Sequence, residues 1–158
     1  MADGVFNIAK GRVVEYYNRV ENNDPAAAVF EVQLWAGTDI ADDLLNNQDD
    51  VAAIQATTLT IATFTNYASK IITDTILAAL PAPDDTANRF EVIMPDQTWT
   101  AAGNGLNDTL VRMTIAYDAL GTSVDSGMIP CTFYDFDVLT DGSDLTAQFD
   151  ALGFFRAA

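Results

Sequence analysis

The chain has 158 residues, of which 49% are hydrophobic and 10% aromatic, enough apolar material for one domain with its own core. Its 23 acidic residues face only 7 basic ones and no histidine, a formal charge of −16. That balance argues against nucleic acid and anionic membranes as partners, since binding either takes clustered Lys and Arg.

A helix is expected over roughly residues 5 to 22, capped by Asp3, with Phe6, Ala9, Val13, Tyr17 and Val20 recurring on one apolar face. Gly11 weakens it by about 1 kcal/mol relative to Ala. Asn22-Asn23-Asp24-Pro25 is a strong stop. Ala28 to Trp35 reads as a strand, with Phe30, Val32 and Leu34 on one side and Glu31 and Gln33 on the other. The acidic segment from Thr38 to Ala56 predicts two short helices broken near Asn46-Asn47, with Ile40, Leu44, Val51 and Ile54 facing inward.

Residues 57 to 73, rich in Thr, Ile, Phe and Tyr, favour strands with a turn near Thr65-Asn66, and PAPDD (81 to 85) is a loop. RFEVIMPDQTWTAAGNG (89 to 105) places two β-favouring runs about Pro95-Asp96. It predicts a hairpin with Trp99 in the core. TLVRMTIAY (109 to 117) and IPCTFYDFDVL (129 to 139) are strand-like, and Asp141-Gly142 marks a tight turn. The sum is one α+β domain over 1–158, β-dominated and most β-rich over 57–139. A small antiparallel sandwich or barrel-like sheet carries an N-terminal helix and short acidic helices.

Little in this inventory suits catalysis. Without histidine the familiar nucleophile–base pairs are unavailable, and Ser69 and Lys70, adjacent on a strand, would point to opposite faces. Cys131 is the sole cysteine, which rules out an intramolecular disulfide; its place on the face of Phe133 predicts a buried, inert thiol. Asp135 and Asp137 share a strand face, with Asp141 and Asp144 across the following turn, and four such carboxylates could hold Ca²⁺. Leu139, however, occupies the fifth position of a calcium loop, where an oxygen donor is wanted, and Gly142 comes two positions late. A solvated acidic edge is the expectation there. No catalytic, metal or cofactor-binding residue is assigned, and no cofactor is expected.

The first residues lack the apolar stretch of an export signal, and no run approaches the about 18 apolar residues of a membrane span. Folding in a cytoplasm is therefore expected. Lys10, Arg12 and Arg19 concentrate basic charge in the first helix, beside Phe6, while Arg156 follows Phe154 and Phe155 near the end. These seven residues are the candidate contacts with an acidic partner or a neighbouring subunit. The competing reading pairs the cations with the chain's own aspartates.

Four stretches carry a resemblance: VFNIAKGRVVEYYNRV, NYASKIITD, DTANRFEVIMPDQTWTAAG and IPCTFYDFDVLTDGSDLTAQFDALGFFRAA. In that order, and over more than half the chain, the pattern resembles small virion structural proteins of tailed bacteriophages, especially those infecting actinobacteria. The resemblance implies a non-enzymatic decoration (cement) protein on the outer capsid surface, made in the host bacterial cytoplasm. The implied partner is the major capsid protein, and the implied assembly a homo-oligomer, with a trimer favoured. It brings no catalytic residues. A tail or neck component binding a host glycan through rings such as Trp99 and Tyr134 is the alternative, and a carboxylate-dependent hydrolase a more distant one.

Overall fold

The computed structural model describes residues 4–77, 82–149 and 155–157, for the last of these Phe155 with its side chain and its two successors by backbone alone. Asp3, Phe154 and the side chain of Arg156 lie outside what is described.

The main sheet is antiparallel and built on three long strands. β1 (Gly4–Val5) lies beside β8 (Ile129–Leu139), which pairs with β7 (Thr109–Asp118), which pairs with β2 (Val29–Gly37). The far edge of β2 is shared end to end by β3 (Leu59–Ile61) and β4 (Lys70–Ile72). Two small sheets complete the β structure, β5 (Phe90–Val92) with β10 (Phe155–Ala157) and β6 (Gln97–Trp99) with β9 (Leu145–Ala147). The domain is thus α+β and β-dominated, as the patterning implied.

Each face of the main sheet buries its own apolar cluster. On one face Phe30, Val32, Leu34, Met113, Ile115 and Tyr117 pack with Val13, Tyr17 and Val20 of α1 (Val13–Glu21) and with Val92, Trp99 and Ala147 of the small sheets. On the other, Trp35, Ala116 and Phe133 meet Leu45 of α2 (Asp42–Asn46) and Val51 and Ile54 of α3 (Val51–Gln55). With both faces covered, β2 is buried from Val29 to Ala36, including Glu31 and Gln33. Alternation along β2 told the two faces apart without revealing that neither is wet.

Four local expectations need correction. The first helix is not continuous: β1 comes first, Asn7–Ala9 form a 3-10 turn, and Gly11 at φ +78° breaks the path before α1 begins. All five apolar positions of the expected stripe are nevertheless buried. In α2 it is Leu45 that faces inward, while Leu44 is 51% exposed. β5 and β6 do not form a hairpin; each pairs with a strand from the C-terminal part of the chain. Finally, the β7–β8 register shifts between Ile115 and Ala116, so Cys131 packs in the α1-side cluster and Phe133 in the other. The bulge, one extra residue on β8, reverses the face presented by the residues beyond it.

Candidate functional site

The six basic residues whose side chains are described differ sharply in what they touch. Arg19 pairs with Glu15 at 2.9 Å, one turn away on α1. Arg89 pairs with Glu91 at 2.8 Å. Lys70 lies 5.3 Å from the centre of the Trp99 ring. Arg112, in the middle of β7, is the most engaged. Its Nε donates to Asp39 Oδ1 at 2.7 Å, its second terminal nitrogen to Asp39 Oδ2 (3.0 Å), Asp42 Oδ1 (2.8 Å) and the Ile40 carbonyl (3.2 Å), and its first to Asp135. Burial alone would lower its pKa, but the three carboxylates outweigh that and raise it.

Lys10 and Arg12 are different. They flank Gly11 at the exposed turn between the 3-10 segment and α1, and among the described residues they meet only neutral groups. Lys10 Nζ donates to Asn7 Oδ1 at 2.8 Å and Arg12 to the Tyr16 hydroxyl at 3.4 Å. Among the described residues no carboxylate comes within ion-pair distance of either. The positive φ of Gly11, with open space around it, holds the two side chains apart on a turn that projects into solvent.

The other candidates fall into place around this turn. Phe6 is fully buried, edge-on to Phe133 with ring centroids 5.3 Å apart, and its N–H donates to the Cys131 carbonyl. It therefore anchors the segment from inside and offers no surface to a partner. Arg19 already has its carboxylate. Phe155 is half-buried against the α1-side cluster and its backbone pairs with Val92, while Arg156 pairs in register with Glu91. Phe154 lies outside the described residues.

The acidic residues are used to shape the chain. Asp108 accepts the N–H groups of Thr63 and Phe64, Asp144 that of Ala101, Asp96 that of Phe149 and Asp84 those of Thr86 and Ala87. Asp50 caps α3 through the Ala53 N–H at 2.7 Å. Asp141 is bound by Ser143, which holds its carboxyl below the usual range. Asp135, Asp141 and Asp144 consequently serve separate tasks, on Arg112, Ser143 and Ala101, and among the described residues no three His, Cys, Asp or Glu side chains gather into a metal-binding group. Burial pushes the Cys131 thiol up to about 12, leaving it protonated and inert. Trp99 is 1% exposed, with its indole N–H on the Ala68 carbonyl at 2.8 Å, so it cannot serve as a glycan platform. No described helix is long and apolar enough to cross a membrane.

Sequence reasoning missed Arg112. A lone arginine inside the apolar run TLVRMTIAY was the available signal, because a charge buried on a strand needs partners, and TDIADD offered them. Comparison with protein-family models, with curated protein sequences and with solved structures finds no match for this chain.

Proposed function

We propose that this chain is a non-enzymatic structural protein of a bacteriophage virion, a decoration protein that binds the outer surface of the mature capsid and stabilises it. The observation that carries this reading is the Lys10–Gly11–Arg12 turn, two exposed cations that, among the described residues, face only neutral groups on a protein of charge −16. In such a molecule a cation left without a carboxylate is a natural point of contact for an acidic partner surface, while the surrounding negative charge steers the rest of the molecule away.

The sequence resemblance supplies the class of partner, the major capsid protein. Such a subunit acts by differential binding: it stabilises the mature shell only by as much as it prefers that state over the immature or broken one. Repetition over many equivalent sites multiplies a modest preference per copy. Self-association into a trimer would add avidity by presenting several turns to the shell at once.

Co-sedimentation with purified mature capsids tests this. Wild-type protein should pellet with capsids and lose binding as salt rises. Lys10→Glu with Arg12→Glu should reduce retention at least about tenfold, a loss of roughly 1.4 kcal/mol per site, with an unchanged circular dichroism spectrum. Retention equal to wild type would remove this turn from the interface.

A further inference from the structure

On the α2/α3 side of the main sheet the chain buries two carboxylates. Glu31 and Asp118 are each 3% exposed. Their register places them on one face: Val29 pairs with Asp118, Glu31 with Ala116 and Gln33 with Thr114, and alternate residues of a strand point the same way. Ser123 joins the two, its N–H donating to Asp118 Oδ2 at 2.8 Å and its hydroxyl to Glu31 Oε2 at 2.8 Å. Among the described residues no Lys or Arg lies within ion-pair distance of either carboxylate. Lys70, paired in register with Val32, belongs to the opposite face.

A second feature points the same way. Gln33 is 2% exposed; its amide nitrogen donates to Glu31 Oε1 at 3.1 Å, yet its carbonyl oxygen Oε1 is buried with no hydrogen-bond partner. The same amide whose nitrogen binds Glu31 thus carries a buried oxygen with no donor among the described residues, an electron pair awaiting a positive centre. Buried anions are normally paired with a cation or coordinate a metal.

We propose that Glu31, Gln33 Oε1 and Ser123 Oγ form a binding site for a hard divalent cation, with calcium the fitting ion and Asp118 supplying the second negative charge. All the donors are oxygens, which suits Ca²⁺ or Mg²⁺ over the softer metals. Calcium tolerates irregular coordination by six to eight oxygens, whereas magnesium demands a near-ideal octahedron and surrenders water reluctantly. Ser123 is itself exposed, so solvent reaches the site from the loop side and water can complete the shell. Asp118 accepts the N–H groups of Leu120, Thr122 and Ser123, and so shapes the loop that closes the site. With only two negative charges the affinity belongs to the weak class, a Kd of about 10⁻⁴ to 10⁻³ M.

The test is a titration of chelator-treated full-length protein with CaCl₂ at constant ionic strength, followed by thermal unfolding and calorimetry. Wild type should bind one ion per chain and gain about 5 °C in Tm at tenfold or greater excess over Kd. Glu31→Gln, which keeps the shape and removes the charge, should abolish the gain. Gln33→Met, which removes the orphan carbonyl together with the amide donor to Glu31, should weaken binding at least about tenfold, and it carries the test if Glu31→Gln fails to fold. Terbium offers an independent readout. Trp35 lies on this face, its indole N–H on Thr114 Oγ1 at 2.8 Å, so sensitised emission should appear in wild type and vanish in Trp35→Phe. No calcium-dependent shift in wild type, or a shift retained in both Glu31→Gln and Gln33→Met, would overturn the proposal; the latter would mean diffuse binding to the acidic surface.

Discussion

Arg112 and Asp39 stand 73 positions apart in the chain, yet the guanidinium grips both oxygens of that carboxylate, at 2.7 and 3.0 Å. This contact pins the segment leading into α2 onto the centre of the sheet, and Asp42 and Asp135 close on the same cation. Arg112→Met would leave three aspartates facing one another around an apolar side chain. Removing one partner of a fully buried pair costs about 3–5 kcal/mol; here the aspartates keep part of their hydration, so a loss of about 2–3 kcal/mol is expected. Arg112→Lys should recover only part, since an ammonium cannot reproduce the two-pronged contact. Urea unfolding of both variants measures the difference.

Alkaline pH should destabilise the fold through Cys131. Its thiol would ionise near 9.0 when free of the fold but only at about 12 inside it. The folded state therefore holds the proton more tightly. The resulting stability is fully present below pH 9.0 and is lost as pH rises toward about 12. Burial also raises Tyr17, Tyr67 and Tyr117, which adds to the same alkaline slope. Urea midpoints followed from pH about 8 to about 11 should fall less steeply in Cys131→Ala than in wild type, though not become flat. Thiol reagents should modify the native protein slowly and the unfolded chain quickly.

Two glycines with positive φ should respond differently to alanine. At Gly11 (φ +78°) a Cβ would meet nothing within 4 Å, so Gly11→Ala bears only the backbone strain, about 1 kcal/mol. At Gly37 (φ +99°) the same atom would sit 2.5 Å from the Thr58 carbonyl, where β2 and β3 pair. Gly37→Ala should therefore cost about 2–3 kcal/mol or more. Thermal unfolding separates the two, and equal effects would mean that the β2–β3 end yields freely.

Asp108 tests whether the acidic residues shape loops or merely solvate the surface. It accepts the N–H groups of Thr63 and Phe64, holding the segment after β3 against the start of β7. Asp108→Ala should cost about 2 kcal/mol through the two donors left without an acceptor. Exposed Asp49→Ala should stay within about 0.5 kcal/mol.

Local patterning was legible in the chain. The long strands around Phe30–Leu34, Met113–Tyr117 and Cys131–Phe133 were visible in β-branched and aromatic alternation, and Trp99 fell in the core as its surroundings implied. Pairing was not visible, because it is decided by distant partners. The connection between β5 and β6 shows why: Ile93 gives its carbonyl to the Tyr17 hydroxyl and Asp96 takes the Phe149 N–H, so the polar groups that would close a hairpin reach elsewhere. Of the candidate contacts, Lys10 and Arg12 could be chosen from charge alone. Phe6 could not be excluded, since a buried anchor and an exposed contact share the same letter. Glu31 and Gln33 could be read as the side of the strand opposite Phe30, Val32 and Leu34, but their burial, with the Ser123 hydroxyl on Glu31, could not.

Immunogold electron microscopy of intact virions tests the proposal that this protein decorates a capsid. A decoration protein should give label distributed over the head and absent from tail structures. Label confined to the neck or tail tip, or none on intact particles, would contradict that placement.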